Sequence, residues 1–287
     1  MSALTAVAPR RRRTDRAARG LIGVATLIAL VPLVLVIFFL FKKGIGAISA
    51  DFFTTDPTGN FFGDQGGVRS AIVGTLEIVG LAALISIPLG IGVALYLVEY
   101  GKASRFALAV RYFVDVMTGV PSIVFGLFIY ITLVVSGFGG GSFAGYKGSF
   151  ALALLMLPVV ARSAEVVLSL VPDALREAAL ALGAPRWKVT FKIVLPTALP
   201  GLITGSMLAV ARAMGETAPL LFTAAAVNGL SFNLGERMNS LPAQIFADVT
   251  SPNADLVQRA WGAALTLVVF IFLLTLVARL AQRRSRI

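Results

Sequence analysis

Long apolar runs separated by short polar stretches dominate the chain. Six of these runs exceed the roughly 18 residues that a helix needs to cross a bilayer. They cover residues 21–41, 71–98, 112–135, 150–171, 201–227 and 261–280. The alternating ten-residue segments of a membrane β-barrel do not occur. The pattern therefore predicts an all-α membrane protein with six transmembrane helices.

The first apolar run follows a basic stretch, as the apolar part of a secretory signal does. It is longer than such a signal, ends in Lys42 and Lys43, and has no small-residue cleavage site before them. We therefore expect this run to stay in place as a membrane anchor. The two longer connections, residues 42–69 and 228–259, are rich in turn-forming residues and are expected to be surface loops.

The runs divide the chain into four parts. We expect a basic tail over residues 1–20, a first transmembrane helix with its outer loop over 21–68, a domain holding the other five spans over 69–280, and a second basic tail over 281–287. Neither long loop is large enough to bury a core of its own. The chain is thus predicted to be a single membrane domain.

The distribution of charge predicts an orientation. Hydrophobic residues make up 57% of the 287 and charged residues 14%, yet the net charge is +11. Of the 25 Lys and Arg residues, 17 lie in the tails and in the loops around Gly101 and residues 177–196, against 6 in the other loops and 2 within spans. The positive-inside bias then makes both termini cytoplasmic. Because basic flanks of membrane helices explain the net charge, we expect no nucleic-acid binding.

The chain contains neither cysteine nor histidine. This excludes disulfides, zinc sites built on Cys or His, and catalytic triads that depend on His. The glycine-rich run that begins at Gly137 lacks the Lys and Ser/Thr of a phosphate-binding loop. We therefore expect no metal, no cofactor and no enzymatic activity that depends on His or Cys in this chain.

Small residues recur every four positions in the fifth span. Such a stripe lets another helix backbone approach closely, so this helix is expected to lie inside a bundle. The stripe consists of Gly201, Gly205, Ala209 and Ala213.

A charged pair lies beside this stripe. Arg212 is about 18 Å beyond Pro200 along a helix, which places it near the bilayer midplane, with Glu216 one turn farther on. An ionised side chain at such depth costs at least about 2.5–3.5 kcal/mol, so it needs a partner or a hydrated cavity. Two interpretations remain open: an ion pair that holds helix packing, or a pathway lining that attracts an anion.

The fourth span carries a similar pair, Arg162 and Glu165. The same two interpretations apply, and the absence of a small-residue stripe on this span favours the packing role. Glu77 and Asp115 are weaker candidates that reach an interface or pair with an arginine.

Proline interrupts two spans. Pro88 lies in the second, and residues 119–122, with the sequence GVPS, lie in the third. Because proline removes a helix hydrogen bond, kinks are expected at both. Such kinks are either structural or mark a hinge beside a translocation path.

The loop before the fifth span has a polar helical pattern of its own. A helix is expected to begin after Pro172, capped by Asp173, and to end at Gly183. A second short helix begins near Pro185, and the following prolines at 196 and 200 are expected to end it. Such an amphipathic hairpin either lies on the membrane surface or inserts into a partner's groove.

Seven positions in this loop match a long, gapped motif. They are Glu177, Ala178, Ala179, Gly183, Ile193, Leu195 and Pro196. The pattern resembles the coupling-helix motif of type I, or MetI-like, permeases of bacterial ABC importers. This resemblance implies six transmembrane helices with cytoplasmic coupling helices, and a loop that docks in a cleft of an ATPase subunit.

A second resemblance indicates which substrate the permease carries. ARAMGETAPLLFTA, residues 211–224, is similar to the signature of PstA-type permeases of phosphate importers, supported by GVPSIVFGLFIY, RSAEVVLSLVP, LREAALALGAPRWK and LPAQIF. It implies that Arg212 and Glu216 take part in phosphate passage. Val166 departs from the family's second polar residue after the fourth-span Glu, which weakens a direct role for Arg162.

The sequence thus predicts a permease subunit that moves inorganic phosphate across the bacterial inner (plasma) membrane by alternating access, with residues 69–280 as its type-1 permease domain. The resemblance implies a homologous sister permease, two ATPase copies, an extracytoplasmic phosphate-binding protein and membrane lipid as partners. The alternative is a permease of the same class for another oxyanion or a small solute. An intramembrane hydrolase and an assembly scaffold are the rivals from other classes.

Overall fold

The regular structure of the chain is helical. A computed structural model describes residues 9–60, 63–101, 104–137 and 140–284, and the only β pairing in these ranges is a single bridge between Pro57 and Gly66. The α-helices are α1 Pro9–Gly44, α2 Ala50–Thr54, α3 Arg69–Leu95, α4 Arg105–Gly119, α5 Ser122–Ile129, α6 Gly145–Ser169, α7 Asp173–Ala181, α8 Arg186–Val189, α9 Leu195–Met214, α10 Ala218–Thr223, α11 Leu241–Val249 and α12 Ala254–Arg284. The predicted all-α class is confirmed.

Within the part of the chain that the structure describes, five continuous helical segments are long and apolar enough to cross a membrane. They are Thr14–Ala47, Arg69–Tyr100, Gly145–Ser169, Arg186–Met214 and Ala254–Leu280. A bent pair, Arg105–Gly119 with Ser122–Val135, supplies a sixth span if its two halves count as one. The predicted number of six spans agrees with this count.

The third predicted span is broken. Helix α4 and the segment that begins with α5 meet at an angle of 102°. Pro121 has no N–H to donate and holds Val120 in an extended conformation (φ −73°, ψ 130°), which ends α4 at Gly119. By contrast, α3 runs through Pro88 as one helix.

The fifth span differs from its prediction at both ends. Helix continues from Arg186 to Met214, so the prolines at 196 and 200 do not end the hairpin. A π-helical turn, Thr190–Val194, lies where Pro196 would otherwise clash with a carbonyl of the preceding turn, and the wider turn accommodates the ring. At the other end α9 stops at Met214, because Gly215 favours no helix and Pro219 cannot continue one.

Helix α6 is the centre of the bundle. Of its most apolar stretch, 61% is buried, compared with 6% for α1. A β-carbon added at Gly90 of α3 would lie 2.8 Å from the β-carbon of Val160 in α6, so these two backbones touch. The small-residue stripe of α9 packs against α6 in the same way, since Gly201 abuts Val167 and Gly205 abuts Ser163. The predicted interior position of this stripe is confirmed.

The second long connection is a surface loop in its first part, where residues 228–237 are exposed or partly exposed, but not in its second part. It contains α11, whose first residues are buried and whose start is capped by the Ser240 side chain. A buried polar chain fixes this helix: Asn239 donates to Gln244 (2.7 Å), Gln244 donates to Asp248 (2.8 Å), and Asp248 pairs with Arg259 of α12 (2.8 Å). Because these groups satisfy one another, a segment rich in polar residues can be buried.

The start of α3 is held from outside the helix. Val68 supplies no side-chain cap, but the Asp56 carboxylate accepts hydrogen bonds from the backbone N–H of Ser70 (3.1 Å) and from Arg69 (2.7 Å). The hydrogen bond from Arg69 lowers the pKa of Asp56 below its ordinary value. The ionised carboxylate is therefore the natural partner of this helix N-terminus.

Two glycines of α3 test the packing at this end. A β-carbon at Gly74 would overlap the carbonyl oxygen of Asn239, whereas one at Gly80 would meet nothing within 4 Å. We expect Gly74→Ala to destabilise the protein by about 1–3 kcal/mol through overpacking. Gly80→Ala is the control and is expected to be neutral or stabilising by up to about 1 kcal/mol. Thermal unfolding in detergent measures both; equal melting temperatures would contradict the packing.

Candidate functional site

The fifth-span pair lies at a break in the helix. Arg212 occupies the last turn of α9, and Glu216 lies beyond the helix end, between α9 and α10. The structure brings their side chains together, with Arg212 Nε 3.6 Å from Glu216 Oε1. This distance is that of an ion pair without a hydrogen bond. The Arg212 side chain is 53% exposed and that of Glu216 is 17% exposed, so the arginine has the greater access to a ligand.

The break is packed against the other broken span. A β-carbon added at Gly126 of α5 would lie 2.7 Å from the α-carbon of Pro219 in α10. The two short helices that follow the breaks therefore touch, which the separate sequence patterns did not predict. Discontinuous helices of this kind expose polar backbone groups inside a membrane, where ligands and ions bind in transporters.

The fourth-span pair belongs to a larger charged cluster. Glu165 accepts hydrogen bonds from Arg162 (2.8 Å) and from Arg111 of α4 (2.7 Å), one to each carboxylate oxygen. Asp115, also on α4, lies 3.8 Å from Arg162. The weak prediction that Asp115 pairs with an arginine agrees with this contact.

Sequence reasoning missed Arg111, which lies just before the predicted third span, 112–135. The residue instead lies inside α4, one turn before Asp115. Opposite charges at this spacing share one helix face, and that was the available signal. Glu165 is the centre of the cluster because its side chain is only 11% exposed and serves two arginines.

A cavity of about 620 Å³ opens beside this cluster. It lies between α4, α6 and α9, and its lining includes Arg162, Thr118 and Thr204. Gly205 of α9 lies beside Ser163 of α6, so Arg162 of α6 lies at about the same depth in the bundle as residue 206 of α9. Arg212 is therefore about 9 Å farther along the helix, at about 1.5 Å per residue. The two predicted pairs are separate sites on neighbouring helices.

The polar hairpin has the predicted first helix and turn. Gly183 adopts a left-handed conformation (φ 80°), and the backbone N–H groups of Gly183 and Ala184 donate to the last carbonyls of α7. The predicted cap is wrong, because Pro172 holds the cap position and the Asp173 carboxylate instead accepts from Arg176 (3.2 Å).

The motif residues divide between the two faces of the hairpin. Glu177 and Ala178 are exposed, while Ala179 is 7% exposed and packs on a cluster shared with α3, α6 and α9. Ile193 and Leu195 are partly buried against that same cluster, and Pro196 is exposed. The hairpin is thus attached to the spans on one side and free on the other.

The chain belongs to the family of inner membrane components of binding-protein-dependent transport systems, whose profile matches residues 86–287. It is therefore a multi-pass membrane permease component of the MetI-like ABC class and not an enzyme. Membership implies an ATPase and a substrate-binding protein as partners.

The names of similar proteins are more specific than the description of the family. The chain is 42% identical over 271 residues to the phosphate transport system permease protein PstA of Haemophilus influenzae, covering 94% of both chains. It is 39% identical over 286 residues to the PstA 1 protein of Mycobacterium tuberculosis, covering 97% of this chain and 92% of the relative.

Solved structures share the fold. A bacterial alginate ABC transporter, solved with its alginate-bound periplasmic protein, matches with a TM-score of 0.68 and 16% identity over 95% of this chain and 96% of its own. The MetNI methionine ABC transporter, in an inward-facing conformation, matches with a TM-score of 0.61 and 20% identity over 76% of this chain and 94% of its own.

No cluster of three or more metal-ligating side chains occurs among the residues described. The chemical capacity of the site lies in its guanidinium groups, which bind carboxylate or phosphate oxygens in a bidentate manner. Three of them, Arg111, Arg162 and Arg212, are partly exposed.

Neutralising Glu165 tests the charged cluster. Glu165→Gln removes the charge that two arginines share, and we expect a loss of about 1–3 kcal/mol in unfolding free energy. Asp115→Asn is the matched control, since its half-exposed carboxylate is 3.8 Å from Arg162 and is expected to contribute less than about 1 kcal/mol. Unfolding in detergent distinguishes them, and equal losses would refute a central role for Glu165.

Proposed function

We propose that this chain is the permease subunit of an ATP-driven importer that moves inorganic phosphate across the bacterial inner membrane by alternating access. The observation that carries the proposal is the Arg212 guanidinium, half exposed at a break in an apolar helix and held only by a long ion pair. The names of its relatives, phosphate transport permeases that match almost the whole chain, support phosphate as the substrate.

The chemistry of the pair suits a transient anion. Phosphate carries one to two negative charges near neutral pH, and a guanidinium offers it two parallel donors. Glu216 competes for the same guanidinium and keeps the anion from binding too tightly to leave. The 3.6 Å separation leaves the donors of Arg212 available, because among the described residues this guanidinium donates no hydrogen bond.

A transport pathway past Arg212 requires protein on its opposite side. Arg212 is exposed on the surface of this chain and is not enclosed in a channel. We assign the opposite wall to a homologous sister permease, so that the two chains form a heterodimeric pore. The cavity beside Arg162, between α4, α6 and α9, has a mainly apolar lining, which favours the packing role for the pair of Arg162 and Glu165 over a place in the pathway.

The hairpin is the proposed link to the ATPase. Its exposed face includes Leu182 and Trp187, which are 89% and 56% exposed, together with basic side chains. Such a mixed surface suits insertion into a cleft of a partner protein. The basic bias of residues 177–196 and of both tails supports a cytoplasmic location for them, where ATP is available.

Replacing Arg212 tests the pathway. We expect Arg212→Gln to reduce ATP-driven phosphate uptake into proteoliposomes by about ten- to a hundredfold, because a charge-assisted hydrogen bond contributes about 1.5–3 kcal/mol. Recovery of the ATPase with the permease should not change. Arg105→Gln, an exposed arginine at the start of α4, is the control. Near-normal uptake by the Arg212 variant would remove the basis of the proposal.

Competition distinguishes phosphate from other oxyanions. Labelled phosphate uptake by the wild-type complex should persist in the presence of excess sulfate or molybdate. Strong inhibition by either anion would favour the alternative, a permease of the same class for another oxyanion.

Gly183 tests the attachment of the ATPase. Its left-handed conformation costs an ordinary residue about 1–2 kcal/mol. We expect Gly183→Val to lower ATPase recovery in a pull-down by about tenfold through loss of the turn. Gly183→Asn is the control at the same position, since Asn tolerates this conformation. Equal recovery with both variants would show that the turn is not required.

A further inference from the structure

Helix α7, the first arm of the hairpin, is held to the membrane spans by few side chains. Only Arg176 and Ala179 of this helix are buried. Its two large apolar residues, Leu175 and Leu180, are 42% and 44% exposed, so apolar packing alone fixes it weakly. The position of α7 therefore depends strongly on the contacts that Arg176 makes.

The Arg176 guanidinium is fully engaged. Its Nε and Nη2 atoms donate to the same carboxylate oxygen of Glu99, at 3.1 and 2.8 Å. Nη2 also donates to the carbonyl of Leu168 (3.0 Å), and Nη1 donates to the carbonyl of Val171 and to Asp173 (3.2 Å). Every nitrogen of the Arg176 guanidinium thus has a hydrogen-bond acceptor. The side chains of Arg176 and Glu99 are each 10% exposed.

These contacts connect three elements. Glu99 belongs to the π-helical turn Tyr96–Tyr100 that extends α3, Leu168 lies in the last turn of α6, and Val171 lies just beyond the end of α6. One guanidinium therefore ties the hairpin arm to the ends of two spans at once. The apolar cluster around it includes Val98, Leu168, Val171, Ala179 and Val189.

The other arm of the hairpin lies close to the same end of α3. Tyr100 Oη lies 3.5 Å from Thr190 Oγ1, and Thr190 begins the π-helical turn that leads into α9. The end of α3 thus lies between the two arms of the hairpin. A displacement of the hairpin has to carry α3 with it while the bonds of Arg176 are intact.

We infer that Arg176 and Glu99 form a mechanical joint through which movement of the ATPase-bound hairpin is passed to α3 and α6. This inference rests on the proposed function. A buried guanidinium fixed by a carboxylate and two carbonyls resists sliding, since any shift leaves desolvated charges without partners. Both residues act through the hairpin and are positioning residues, because neither is proposed to touch the transported anion.

The test compares two carboxylates that bind the same guanidinium. Glu99→Gln removes the buried charge, whereas Asp173→Asn removes one that is 72% exposed. In proteoliposomes containing the complete complex, we expect Glu99→Gln to lower the phosphate transported per ATP hydrolysed by about tenfold, within the range that coupling mutations produce. ATPase recovery should be unchanged, and the Asp173 variant should keep the wild-type ratio. A ratio for Glu99→Gln within about twofold of wild type would overturn the joint.

A distance measurement tests the joint independently of the substrate. Because the chain has no cysteine, Ala174→Cys in α7 and Leu84→Cys in α3 accept spin labels at these positions alone. In the assembled complex the distance between the labels should stay constant when ATP binds, since the hairpin and α3 move together. In the Glu99→Gln and Arg176→Lys backgrounds the distance should change or its distribution should broaden. Identical distributions in all backgrounds would refute the joint.

The two measurements separate the possible failures. If the wild-type complex fails to transport phosphate but the labels respond to Glu99→Gln as expected, the substrate assignment is wrong and the joint stands. If phosphate uptake is normal in the wild type and the labels do not respond, the joint is wrong and the proposed function stands.

Discussion

A guanidinium that is removed from water must find a carboxylate or carbonyl, and in this apolar chain that requirement fixes which helices are neighbours. Arg176 pairs with Glu99, and Arg259 pairs with Asp248. Each pair joins two different elements, because desolvating an arginine alone would cost several kcal/mol. Lys147, which is fully buried, meets the same requirement with backbone carbonyls. Apolar packing fills the bundle, and these polar contacts specify its arrangement.

Arg212 differs from this group in its partner and in its exposure. Its acid, Glu216, is four residues away on the same chain segment, at a distance without a hydrogen bond. An arginine with all donors engaged, such as Arg176, is suited to hold structure. One with free donors beside a helix break is suited to meet a passing anion. This contrast is the basis for assigning Arg212 to transport and Arg176 to coupling.

The breaks and π-helical turns of the helices support the same assignment of transport and coupling to different parts of the chain. Non-helical backbone between α4 and α5 and between α9 and α10 is tolerated inside a membrane only where protein or water satisfies its polar groups. The contact between Gly126 and Pro219 brings the helices beyond both breaks together. At the hairpin, a π-helical turn instead keeps the helix continuous past Pro196, so α8 and the fifth span form one unbroken helical segment.

The sequence by itself determined what depends on local periodicity. Apolar runs indicated the spans, four-residue spacing indicated the stripe of α9, three-residue spacing indicated the pair of Arg162 with Glu165, and the hairpin motif indicated the family. The tertiary structure alone decided that Arg111 joins that pair, that Glu99 accepts hydrogen bonds from Arg176, and that residues 241–249 form a helix whose start is buried. Contacts within one helix follow from its pitch, whereas contacts between helices depend on packing that no single segment encodes.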